Sequence, residues 1–87
     1  MVYPILKKMK WIYIKEAPIE KGRKTKVFLV NSMGENSFLG LIKWYSHWRK
    51  YCFFPAEQTI FEWDCLCDIA EFCKEQTKEY KINWYKS

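Results

Sequence analysis

The residues best equipped for chemistry in this 87-residue chain stand close together between positions 38 and 55. The stretch reads Phe-Leu-Gly-Leu-Ile-Lys-Trp-Tyr-Ser-His-Trp-Arg-Lys-Tyr-Cys-Phe-Phe-Pro. Within it Trp44, Tyr45, Trp48 and Tyr51 offer rings, while Lys43, Arg49 and Lys50 offer fixed positive charge. Aromatic side chains stack on nucleobases for roughly 1–3 kcal/mol each, and an Arg guanidinium grips phosphate or a base edge with a bidentate fork. Rings interleaved with cations therefore suit a ligand that carries flat rings and phosphates. Arg23, in a charged loop upstream, is a further candidate contact. The same rings would serve equally as a core or a dimer seam, with the cations solvating its edge.

Catalytic and metal chemistry find less in the sequence. His47 is the one histidine, expected in an exposed turn beside Ser46. Neighbours in a turn do not make a triad, because the base must face the nucleophile and be oriented by a third group. No Gly-rich phosphate loop is present. The chain reads as a non-enzyme with no cofactor. Its cysteines stand at 52, 65, 67 and 73. Structural zinc draws more widely spaced Cys pairs or Cys/His pairs. On a helix, Cys65 and Cys67 would point about 200° apart. They read as reduced, buried or half-buried thiols and not as metal ligands.

Charge is unevenly placed. Residues 1–56 hold eleven Lys/Arg against three Asp/Glu, a net +8, whereas residues 57–87 hold four against seven, a net −3. This predicts a positive face for phosphates or an acidic protein, and a negative face elsewhere. No apolar run reaches the length of a membrane span, and no signal-type apolar segment follows the early lysines. The expected setting is the cytoplasm, or the host cytoplasm for a phage-encoded chain.

The elements that must position these residues follow from pattern. At this length one domain is expected over 1–87. Residues 9–14 are rich in β-formers and predict a first strand. Pro18 and the 20–24 loop end it. Residues 25–31 predict a second strand, central because both its faces are apolar. A turn at 31–37 leads to strands over about 38–44 and 48–54, joined by Ser46-His47. That pairing places Gly40, Ile42, Trp44, Arg49, Tyr51 and Phe53 on one face. It places Leu39, Leu41, Lys43, Tyr45, Trp48, Lys50, Cys52 and Phe54 on the other.

Thr59 and Glu62 match a capping box, with Asp64 a second N-cap candidate, ahead of a helix over about 61–80. Phe61, Cys65, Leu66, Ile69, Phe72, Cys73 and Tyr80 form its apolar side. Asp64, Asp68, Glu71, Glu75 and Glu79 form an adjacent acidic stripe, with Lys74 and Lys78 placed to pair with Glu71 and Glu75. Trp84 and Tyr85 in the tail are left to dock on the body or on another subunit. The expected fold is α+β: a four-stranded, mostly antiparallel meander packed on one C-terminal helix in two layers. One sheet face would stay uncovered and aromatic, which on a small protein marks a ligand or partner.

The run Leu39-Gly40-Leu41-Ile42-Lys43-Trp44-Tyr45, then Trp48-Arg49-Lys50-Tyr51-Cys52-Phe53-Phe54-Pro55, resembles a family of small phage and mobile-element proteins. Cys65-Leu66-x-Asp68-Ile69-Ala70-x-Phe72 extends the resemblance into the helix, so that it covers roughly residues 25–75. The resemblance implies a phage setting and brings no catalytic residues with it. Small phage proteins of this kind often counter host defence, some by sequestering nucleotide immune signals. Together with the ring-and-cation pattern, this leads to the expectation of a homodimer or larger assembly that binds a small nucleotide, cyclic or linear. Two other expectations use the same residues. One is an inhibitor that caps a host defence protein. The other is a single-stranded nucleic-acid binder whose affinity falls steeply with salt.

Overall fold

The computed structural model of the chain describes residues 5–18, 22, 24–35 and 37–86, with residues 83–86 described by backbone alone. Five strands precede one helix: β1 (Ile5–Lys8), β2 (Ile12–Glu16), β3 (Val27–Ser32), β4 (Phe38–Tyr45), β5 (Lys50–Pro55) and α1 (Trp63–Lys86). The strands pair antiparallel in chain order, so the sheet is a simple meander with β3 at its centre. The α+β two-layer arrangement stands, with five strands in place of the expected four.

The additional strand comes from a turn inside the expected first one. The Met9 N–H donates to the Ile12 carbonyl at 2.8 Å, folding Met9-Lys10-Trp11 into a hairpin bend. Ile5–Lys8 then pairs with Ile12–Glu16 as an exposed edge strand.

Strand parity sorts the side chains. Ile12 and Ile14 of β2, Phe28 and Val30 of β3, Ile42 of β4 and Tyr51 of β5 face α1 and are buried with Cys65, Ile69 and Phe72 of the helix. Five of these, Phe28, Ile12, Ile14, Ile42 and Val30, are no more than 1% exposed. Each stabilises the fold by about 1.5–3 kcal/mol through burial. Phe28 meets Phe72 edge-on at 4.9 Å between ring centres, tying the central strand to the helix. Leu66, expected on the apolar stripe, is 47% exposed.

Two local features hold β4 and β5 in place. A register shift lies between Val30 and Asn31, which pair with Gly40 and Phe38 respectively. The extra residue, Leu39, turns in to pack on the core instead of joining the opposite face with Leu41. Gly40 has φ +154, and a Cβ there would lie 2.5 Å from the Phe54 carbonyl oxygen and 2.8 Å from the Phe53 ring. Only glycine fits such an approach. On the outer edge of β5, the Tyr51 N–H donates to the Thr77 hydroxyl at 2.9 Å, and that hydroxyl donates to the Cys73 carbonyl at 2.8 Å. The helix thus closes part of a strand edge that would otherwise present unpaired backbone.

The helix begins later than expected, and its N-cap is Glu62. The Glu62 carboxylate accepts from the backbone N–H groups of Cys65 at 2.6 Å and Asp64 at 3.1 Å. The Thr59 hydroxyl instead donates to the Ala56 carbonyl. The helix also runs past Tyr80 to Lys86, since the tail has no Gly or Pro to stop it. Glu75 pairs with Lys7 of β1 at 3.5 Å, across the sheet, where pairing within the helix was expected.

Candidate ligand-binding face

The hairpin between β4 and β5 decides where the candidate residues go. Its loop holds four residues, Ser46–Arg49, and not the two expected, because Tyr45 pairs with Lys50. The Tyr45 carbonyl accepts from the N–H groups of both Trp48 (3.2 Å) and Arg49 (2.9 Å), and Arg49 closes the loop with φ 56. A non-glycine residue in that left-handed conformation costs about 1–2 kcal/mol. Pairing shifts by two residues relative to the two-residue loop, so the strand residues other than Leu39 keep their expected faces. Trp48 and Arg49 leave the strand for the loop.

Four candidates, Lys43, Tyr45, Trp48 and Lys50, share one surface on the sheet face turned away from the helix, and Arg49 is exposed in the adjoining loop. Tyr45 is its hub. The His47 ring stacks on Tyr45 at 5.2 Å, Trp48 meets it edge-on at 5.0 Å, and Phe54 meets it edge-on at 6.0 Å. The Lys43 ammonium lies 4.6 Å from the centre of the Phe54 ring, a cation–π contact that lays the charge along the surface. Arg49 and Lys50 are exposed beside it, and Trp48 is 66% exposed.

Trp44 and Tyr51 lie on the other side of the sheet. The Trp44 ring packs 4.3 Å from Tyr80 and 5.6 Å from Tyr51. Tyr51 is 5% exposed, and its hydroxyl accepts from the Lys26 N–H at 3.2 Å. Burial pushes the Tyr51 phenol pKa up, partly offset by that hydrogen bond. These two rings belong to the packing between sheet and helix. Arg23 lies outside the described residues, as do the side chains of Trp84 and Tyr85.

The rest of the outward face extends this surface across the sheet. Ile5, Lys15, Leu29, Leu41 and Phe54 stand opposite one another in successive strands, one row from edge to edge. Neighbouring outward positions carry Lys8, paired with Tyr13, and Lys43, paired between Val27 and Cys52. The Lys15 ammonium lies 5.5 Å from the Tyr13 ring centre. Among the described residues no carboxylate occupies an outward strand position. The one acidic strand residue, Glu16, pairs opposite core-facing Phe28 and meets Lys26 at 4.0 Å. Asp68, Glu71, Glu75 and Glu79 all stand on α1, beyond the core. The sequence reading of the site did not include Phe54 or Lys15; strand parity is the signal that places them.

No family model, curated protein or solved structure matches this chain.

A separate concavity of about 880 Å³ opens at the opposite end of the sheet, lined by Lys10, Trp11, Phe38, Ile60 and Phe61 among others. None of the described candidate residues borders it. The thiols are all free: Cys65 is buried, Cys52 and Cys73 are half-buried and Cys67 is exposed. Burial raises the thiol pKa of Cys52, against the pull of Lys50, and raises that of Cys65, with Glu62 and Asp68 adding to the shift. Burial, with Cys52 nearby, pushes the Cys73 thiol up to about 11. Thiols held protonated in this way are poor nucleophiles and poor metal ligands. Among the described residues no group of three or more His, Cys, Asp or Glu is arranged to hold a metal ion. Nor, among the described residues, is any helix long and apolar enough to cross a membrane.

Proposed function

We propose that this protein is a non-catalytic nucleotide-binding module that holds its ligand on the outward sheet face at the β4–β5 hairpin. The observation that carries the reading is the Tyr45–Trp48–Phe54 ring cluster bordered by Lys43, Arg49 and Lys50, with no carboxylate at an outward strand position. A base stacks against Trp48 or Tyr45, and the lysines and Arg49 neutralise its phosphates. The resemblance to phage and mobile-element proteins supports a role in countering host defence, in which a nucleotide signal is withdrawn in the host cytoplasm. The hairpin supplies one wall of a site. A small cyclic nucleotide held tightly needs a second wall, which a homodimer would provide, whereas an extended ligand needs only the open platform.

The test is native mass spectrometry and intrinsic tryptophan fluorescence with cyclic nucleotides, mononucleotides and a short oligonucleotide. Trp48→Ala and Tyr45→Ala should each weaken binding by roughly 5- to 100-fold, the loss of about 1–3 kcal/mol of stacking. Unchanged affinity in folded variants would remove this face as the site.

A second reading is supported by a different feature. Ile60 is 94% exposed and Trp63 is 75% exposed near the start of α1, and Ile60 borders the 880 Å³ concavity. Large apolar side chains left in water are typical anchors for a protein partner. On this reading the chain caps a host defence enzyme. Affinity capture from host lysate should then depend on Ile60 and Trp63 and be indifferent to Trp48.

A further inference from the structure

We infer that the ligand of the outward face is a single strand of nucleic acid running across the sheet, from the β4–β5 hairpin to Lys15 and Lys8. This rests on the nucleotide reading above and adds its ligand class, its path and two contact residues.

Leu29, Leu41 and Phe54 form an apolar band through the middle of the face, the kind of surface a second copy could cover. Face-to-face packing of two copies would bring Lys8, Lys15, Lys43 and Lys50 against the same set. Like charges brought together in a closing interface repel, and among the described residues no carboxylate occupies an outward strand position to relieve them. The occupant must bring the negative charge itself. An acidic helix would match the charge, but it would leave the hairpin rings without flat partners. A strand of nucleic acid supplies both, since bases stack on exposed rings while phosphates meet the cations.

The dimensions agree. The path is diagonal: Tyr45 and Lys8 lie three strands apart, about 14 Å, and three outward rows apart along the strands, about 20 Å, so it spans about 25 Å. That suits about four nucleotides, the lower end of site sizes for single-strand binders. Along the path, Trp48 and Tyr45 offer stacking at one end, the half-buried Leu29–Leu41–Phe54 row gives an apolar floor, and Lys15, lying over the buried Tyr13 ring, offers charge at the far side. Sheets that carry rings on one face and a helix layer on the other are a recurring way to read unpaired bases.

The cations set the expected salt response. Each phosphate neutralised on a single strand contributes about −0.7 to the slope of log affinity against log salt. Contacts from Lys8, Lys15, Lys43, Arg49 and Lys50 together predict a slope near −3.5, and loss of Lys8 and Lys15 should bring it to about −2. The test uses fluorescence anisotropy of labelled oligothymidylate of about ten nucleotides, with AMP as the short probe. The proteins are wild type, Lys8→Ala/Lys15→Ala and Trp48→Ala.

The expected result is a shallower slope and weaker oligonucleotide binding in the double-lysine variant, with AMP binding unchanged. Trp48→Ala should weaken both probes. If the double-lysine variant keeps the wild-type slope while Trp48→Ala loses binding, the path across the sheet is wrong and the hairpin site stands. If Trp48→Ala changes neither probe, the nucleotide reading itself falls. Binding of polyglutamate in place of either probe would assign the face to an acidic protein and overturn the inference.

Discussion

At the scale of single residues, Gly40 shows how tightly the hairpin is built. Its φ of +154 and the 2.5 Å approach of a would-be Cβ to a backbone oxygen leave no room for any side chain. Backbone cannot step aside as a flexible side chain can. Gly40→Ala should therefore lower unfolding stability by about 2 kcal/mol or more, read as a lower midpoint in urea. It should also loosen the β4–β5 register that places Tyr45 beside Phe54. Trp44 and Trp48 make the complementary point. Both are rings in the same short run, yet one is packed against Tyr80 and the other stands 66% exposed. Nothing in the side chain distinguishes them; position relative to the helix-facing side of the sheet does.

At the scale of elements, the contact between α1 and β5 is more than apolar packing. The Thr77 hydroxyl accepts from the Tyr51 N–H and donates to the Cys73 carbonyl, so one side chain joins strand edge to helix. Thr77→Val keeps the shape and removes the acceptor, leaving a backbone donor without its partner. It should cost about 1–3 kcal/mol, whereas Thr77→Ser should recover most of it. Thermal melts of the two variants check this.

The elements also mark where sequence patterning was informative. Apolar residues on both faces of 25–31 pointed to a central strand, and β3 is central. The helical spacing of Cys65, Ile69 and Phe72 pointed to one buried side, and all three are in the core. β1 was not legible, because Ile-Leu-Lys-Lys has no alternation and every residue is exposed, as a short edge strand allows. The four-residue loop was hidden for another reason. Trp48 is a strong strand former, so propensity alone extends β5 backward through it, and only the Tyr45–Lys50 pairing stops the strand at Lys50. Which face the helix would cover needed long-range information. Division of the candidate rings into packing and surface followed from that choice, so it too lay beyond local pattern.

At the scale of the whole molecule, stability should respond to alkaline pH through its thiols. The Cys73 thiol ordinarily titrates near 9.0 and is held protonated to about 11 in the folded state. Below pH 9 both folded and unfolded chains keep the proton, and the thiol contributes no pH dependence. As pH rises from about 9 to 11 the unfolded chain gives up a proton that the folded one retains, so stability falls through that window. The loss from Cys73 should be no more than roughly 2 kcal/mol once its partial exposure is allowed for. Cys65, Cys52 and Tyr51, all raised by burial, act in the same direction. Urea midpoints measured from pH 8 to about 11 should fall for the wild type and less steeply for Cys73→Ala. The comparison uses the slope, which a change in packing alone would leave intact.

The outward strand positions carry Lys8, Lys15, Lys43 and Lys50 without a carboxylate among the described residues, whereas α1 sets five carboxylates against four lysines, so the molecule is an electric dipole as well as a net cation. Near a polyanion such a body feels a torque before it makes contact. It turns its sheet toward the ligand and its helix away while still about a Debye length distant, roughly 10 Å at moderate salt. Most collisions would then begin in a productive orientation, and added salt would slow arrival more than it hastens departure. A small protein with few binding groups could in this way capture a scarce ligand quickly, even where each individual contact is weak.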